Sequence, residues 1–222
     1  MKAFLTLISM MVFVSSALSG EPTKFYINDK LKRDIVTFTS KAPLETVVGK
    51  TGDITGYIDV DPADISGTAR ASFEVDLASL KTGIGMRDGH MREQYLEVEK
   101  YPKAVFVLKE VKSAEPNTLQ DNMPVDLTLL GNFTVHGITK EVEVPATAIY
   151  MKENEDTKAR LPGDLLHITA TFDVYLSDHN IKRPQFVILK LDDRQKIDLD
   201  FFASTAVPPA MESSAEEEDS GL

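Results

Sequence analysis

Apolar and polar residues alternate along much of the chain with the two-residue period of a strand that has one dry and one wet face. Within 165–176, Ile168, Ala170, Phe172, Val174 and Leu176 fall on one side and Thr169, Thr171, Asp173 and Tyr175 on the other. Val125, Leu127, Leu129, Phe133 and Val135 share a face in the same way, as do Val142, Val144, Ala146 and Ala148. Ala69, Ala71, Phe73, Val75 and Leu77 alternate with Arg70, Ser72, Glu74 and Asp76. The pattern predicts strands over 24–27, 35–39, 54–60, 68–77, 104–111, 125–135, 138–150, 165–176, 186–191 and 196–202. Strand follows strand with no strand–helix–strand rhythm, so the chain is expected to be all-β and built on an antiparallel sheet.

One segment departs from that period. In 81–102, KTGIGMRDGHMREQYLEVEKYP, Met91, Tyr95 and Val98 recur at helical spacing after Gly89, Asp88 is placed to cap, and Pro102 ends the run. A single short α-helix is therefore expected within the β fold. Its first turn gathers Arg87, Asp88, His90 and Arg92, the candidates for recognising a ligand's polar group. Arg87 or Arg92 suits a phosphate or carboxylate, and Asp88 suits a structural role at the helix-bearing loop. Between two alternating strands, His136–Gly137 reads as a two-residue hairpin turn, which calls for positive φ and gives His136 a backbone role. The strand over 104–111 is apolar on both faces, so one side is expected beneath the helix and the other toward the interior. Segments 113–124 and 152–164 are polar and Pro-containing and read as surface loops.

The two ends of the chain carry different signals. Residues 1–20 combine Lys2, an apolar run over 4–14 broken only by Thr6 and Ser9, and the small-residue site Ala17-Leu18-Ser19. This is the pattern of a cleaved export signal, and the run is shorter than the ~20 apolar residues of a spanning helix. A periplasmic or secreted protein with no integral membrane span is expected. Residues 206–222, with Glu212, Glu216, Glu217, Glu218 and Asp219, read as a disordered acidic tail. That leaves 21–205 as one domain. The formal net charge of −11 disfavours nucleic acid as a partner.

Catalytic chemistry finds little to stand on. The chain has no cysteine, which excludes thiol catalysis and thiolate metal sites. It has four histidines, His90, His136, His167 and His179, and no G-x-S-x-G elbow. His90, Glu93 and Glu97 could share a helical face, but such spacing is ordinary for a charged surface, and no metal or cofactor is expected. Phe38, Phe73, Phe106, Phe133, Ala170 and Phe172 are the candidates to line an interior. Periodicity does not distinguish a filled barrel from a hollow one.

A resemblance bears on that choice. Asp76, Thr82-Gly83, Arg87-Asp88-x-His90, Tyr101-Pro102, Phe106 and Gly131-x-Phe133-Thr134-x-x-Gly137-x-Thr139 together resemble the YceI family of secreted bacterial proteins, and the likeness runs from about Phe25 to Phe202. It implies a lipocalin-like antiparallel barrel of about eight strands. It also implies a cavity for one amphiphilic lipid, a polyisoprenoid or a fatty acid or fatty amide, held for transport, storage or sequestration by a monomer or homodimer. Leu176-Ser177-Asp178-His179-Asn180-Ile181 and Arg183-Pro184 depart from the arginine and glycine that many members carry there, so a different head group is expected. The alternative is an enzyme acting on a small apolar or lipid substrate through Asp88, His90 or His179.

Overall fold

The computed structural model describes residues 21–186 and 189–208. The expected leader over 1–20, and the acidic tail beyond residue 208, lie outside the described residues.

The strands are β1 (Thr23–Ile27), β2 (Ile35–Lys41), β3 (Thr46–Thr51), β4 (Ile54–Val60), β5 (Arg70–Asp76), β6 (Lys103–Glu115), β7 (Pro124–Val135), β8 (Ile138–Met151), β9 (Leu165–Tyr175), β10 (Gln185–Phe186), β11 (Leu189–Lys190) and β12 (Arg194–Ser204). Antiparallel pairing runs β1-β4-β5-β6-β7-β8-β9-β12, and β12 meets β1 again where Tyr26 faces Ser204, so eight strands close a barrel. The β2–β3 hairpin is carried by the other half of β12, from Ile35 opposite Asp200 to Ser40 opposite Gln195. β3 in turn exchanges Lys50–Lys81 backbone hydrogen bonds of 2.9 and 3.0 Å with the segment after β5.

The alternation decides which side chains enter the barrel. Along β9, Leu166, Ile168, Ala170, Phe172 and Val174 are buried, while Thr171, Asp173 and Tyr175 are exposed. The β7–β8 hairpin turns at His136 and Gly137 with φ of 53° and 73°, as expected from their types. The Tyr101 ring lies 4.6 Å from that of His136 and against Gly137, where an added Cβ would come within 2.5 Å of it.

Several boundaries differ from those read in the sequence. β3 has one inward aliphatic side chain, Val47, and its Gly49 lies under the Phe38 ring, which supplies the apolar cover that β3 lacks. β6 continues to Glu115 through register shifts at Leu108/Glu110 and Val111/Ser113, which interrupt the two-residue period and make the first part of 113–124 resemble a loop. The strand expected over 186–191 is a short β10–β11 ribbon instead. Single turns of helix occur at α1 (Ile65–Thr68) and α3 (Glu155–Lys158).

The longer helix, α2, starts at Gly85 rather than Gly89, spans Gly85–His90 and continues as a π-helical turn over Met91–Tyr95. Asp88 therefore lies inside the helix and is not its N-cap, which is Ile84. The helix does not cover the outer face of β6, where Val107 is 43% exposed. It closes one end of the barrel: Met91, Tyr95, Leu96 and Val98 pack with Leu77, Leu80, Ala104, Val135 and Ile181. At the opposite end Phe25, Val60, Val125, Leu166 and Ala203, each 3% exposed or less, form a packed floor. Burial of the phenylalanine, leucine and valine side chains contributes about 1.5–3 kcal/mol each.

Candidate functional site

Between that floor and the helix the barrel is hollow. A cavity of about 210 Å³ is walled by Phe73, Phe106, Phe133 and Phe172, with Phe38 from β2 and Val75, Val174, Ile197 and Leu199 among them, and roofed by Met91, Tyr95 and Leu96. It is larger than the ~150 Å³ apolar cavity that admits a benzene-sized guest. The Phe73 and Phe106 rings stack at 5.0 Å, and Phe133 meets Phe172 edge-on at 5.6 Å, so the aromatic wall is locked by its own contacts. Phe106 covers Gly131, where a Cβ would come within 2.3 Å of the ring.

Ala170 is the interior candidate that does not reach this wall. It lies inward on β9, paired with Leu199 and Ala146, and is buried in the main core cluster beside the wall. Facing inward therefore did not suffice to make it a lining residue, because at the same level its partner Leu199 reaches the wall and the alanine methyl does not.

The polar candidates divide by pairs. Arg87 and His90 reach the cavity together with Glu45 and Thr82. Asp88 and Arg92 are directed into the loop that carries the helix. The Asp88 carboxylate, 6% exposed, accepts from the Thr82 backbone N–H at 2.7 Å and from its hydroxyl at 2.5 Å. Burial acts to raise the Asp88 pKa, but the Thr82 hydrogen bonds, with Arg92 and Arg87 nearby, outweigh it and hold the carboxyl below its ordinary range. Arg92 donates to the carbonyls of Ala78 at 3.3 Å and Leu80 at 3.5 Å.

Arg87 links two elements. Its Nε donates to Thr82 Oγ1 at 2.8 Å, its Nη2 to the Thr82 carbonyl at 3.2 Å, and its Nη1 to Glu45 Oε1 at 2.5 Å. Glu45 sits in the turn between β2 and β3, so the ion pair ties the tip of that hairpin to α2. The Glu45 side chain is 47% exposed and also lines the cavity, which locates the opening to solvent beside it. Leu44, Ile84 and Met86, from the same hairpin and helix start, are exposed.

The remaining histidines serve the fold. His136 Nδ1 donates to the His179 carbonyl at 3.0 Å, and His179 Nδ1 donates to the Ile138 carbonyl at 3.0 Å, since a carbonyl can only accept. His179 is 2% exposed, and its burial pushes the imidazole pKa down. His167 is bonded to Asp200 at 2.8 Å and stacked on Phe202. Among the described residues no serine or threonine hydroxyl is bonded to an imidazole, and no three His, Asp or Glu side chains are grouped to hold a metal ion. Within the divergent segment, Leu176 and Ile181 join the cavity wall, while Arg183 donates to the Leu191 carbonyl at 3.2 and 3.1 Å.

Comparison with known proteins gives this arrangement a family. The model of the YceI-like domain matches residues 27–203. The chain belongs to the YceI-like family. Among curated relatives, a UPF0312 protein of Pseudomonas putida strain GB-1 is 34% identical over 125 residues, 56% of this chain and 58% of the relative. Another from Shewanella sp. strain MR-7 is 25% identical over 172 residues, 77% of this chain and 83% of the relative. Against the Pseudomonas putida relatives the YceI-like chain thus spans 58% of their length. Of solved structures, BcnA of Burkholderia cenocepacia superposes with a TM-score of 0.60 at 18% identity, covering 80% of this chain and 100% of that one. A polyisoprenoid binding domain from Saccharophagus degradans, implicated in plant cell wall breakdown, gives 0.61 at 13% identity, covering 81% and 97%. At these identities the likeness is one of fold.

The sequence motif singled out Arg87 and His90, but Glu45 carries no local signal. It is an isolated acid in an otherwise apolar turn, Ala42-Pro43-Leu44-Glu45, and its partner lies 42 positions away.

Proposed function

We propose that this YceI-like protein is an exported carrier or sequestering protein that holds an amphiphilic lipid in its barrel and performs no chemistry on it. The observation that carries the reading is the division of the cavity. Its aromatic and aliphatic wall suits an apolar tail, and its ionisable groups gather near the Arg87–Glu45 opening, where a head group would sit. The polyisoprenoid-binding description of the Saccharophagus degradans neighbour supports a prenyl tail, and an acyl tail fits the same wall. The export signal read in residues 1–20 supports a periplasmic or secreted location.

Calorimetric titration of the protein with prenyl and acyl amphiphiles of increasing length tests this. Binding with a negative heat-capacity change that grows with tail length is expected, and the ligand is recovered unchanged. Absence of binding across both series contradicts the reading, and recovery of a converted lipid would establish the enzyme alternative.

A further inference from the structure

The geometry points to Glu45 as the residue that selects the head group: by occupying Arg87, it makes the opening a site for uncharged amphiphiles, alcohols or primary amides, and rejects carboxylates and phosphates. This inference rests on the lipid-binding reading and extends it to the class of ligand.

A free arginine at the mouth of an apolar cavity would favour an anion. Arg87 is not free. Two of its nitrogens are fixed on Thr82, and a third donates to Glu45 Oε1 at 2.5 Å. Thr82 is itself held by Asp88, so the guanidinium is fixed in place. The ionisable side chains on the cavity wall, among the described residues, are Glu45, Arg87, His90 and Tyr95. On that wall the Glu45 and Arg87 charges are opposite and paired with each other.

An anionic head group has two ways to enter. It can displace the Glu45 carboxylate from Arg87, exchanging one carboxylate–guanidinium pair for another while Glu45 stays close by, attached to the same opening. Otherwise it can settle beside the intact pair and meet the Glu45 charge directly. Both arrangements set like charges together in a partly dehydrated site. An alcohol or primary amide meets no such opposition. It can donate to the Glu45 carboxylate and accept from a remaining Arg87 N–H or from the His90 imidazole, since both residues line the cavity.

The test uses three amphiphiles with one tail and different heads, a carboxylate, a primary amide and an alcohol, bound at pH 8 to the wild type, Glu45→Gln and Arg87→Gln. The readout is the ratio of amide to carboxylate affinity within each protein, so a general change in affinity cancels. Thermal unfolding establishes that each variant is folded. The wild type is expected to favour the amide and alcohol by roughly tenfold or more. Glu45→Gln should reduce that ratio by about tenfold, because the guanidinium becomes available to the anion. Arg87→Gln should increase it, because Glu45 is left uncompensated. A wild type that binds the carboxylate as tightly as the amide, or a ratio unchanged in Glu45→Gln, overturns the inference and leaves lipid binding standing. If none of the three binds the wild type, the lipid-binding reading falls and the inference falls with it.

Discussion

Ala104 offers the sharpest test that the barrel is hollow where the structure shows it to be. It lies on β6 opposite Val75 and lines the cavity beneath the helix. In Ala104→Phe a six-carbon ring enters a space of about 210 Å³ and displaces on the order of four to six methylenes of a bound tail. At about 0.8 kcal/mol per buried CH₂, the longest accepted chain should lose about 3–5 kcal/mol of affinity, while chains shorter by that many carbons keep theirs. The control is Ala203→Phe in the packed floor, which should cost about 1–3 kcal/mol of stability through overpacking and leave the ranking of tail lengths unchanged. Binding of one homologous series to both folded variants and the wild type measures this. If folded Ala104→Phe keeps the wild-type preference for length, the tail does not occupy this cavity and the assignment of its wall is refuted.

Two further predictions concern the groups that hold the opening and the wall. Asp88→Ala removes the acceptor of two Thr82 hydrogen bonds and should destabilise the protein by about 1.5–3 kcal/mol at pH 7 in denaturant unfolding. Because the folded Asp88 pKa is depressed, its contribution is present above the unfolded value of about 3.9 and is lost as pH falls through the folded one. The gap between wild type and variant should therefore narrow in acid, and a gap independent of pH would refute the role of the charge. His179 has a lowered folded pKa, so its contribution is full above the unfolded value of about 6.5 and declines as pH falls below it, by at most about 1.4 kcal/mol per unit. His179→Gln should be less stable than the wild type at pH 7.5 and lack that slope, and equal slopes in both proteins would contradict it.

Parity along the strands was legible in the sequence, and reach into the cavity was not. The two-residue period places Ala170 and Phe172 on the same inner face, yet one is packed between Leu199 and Ala146 and the other stands on the cavity wall. Alternation looks the same in a filled barrel and a hollow one. The wall strands and the His136–Gly137 turn were readable because each depends on neighbouring residues. β3 was not, because the ring that covers Gly49 belongs to Phe38 on another strand. The bulges of β6 hid its last four residues, 112–115, by shifting the period midway. At the opening, the R-D-x-H cluster was visible as chemistry, but its division into Asp88 turned back to Thr82 and Arg87 turned to Glu45 depends on where the β2–β3 hairpin comes to rest.

Native mass spectrometry of the intact chain, taken through purification without detergent and then supplied with a long-chain amphiphile, tests the central claim most directly. The account predicts one added mass of a single amphiphile per chain, lost on denaturation and diminished for long tails in Ala104→Phe. A folded protein that shows only its own mass, both as purified and after incubation with prenyl and acyl ligands, would contradict it.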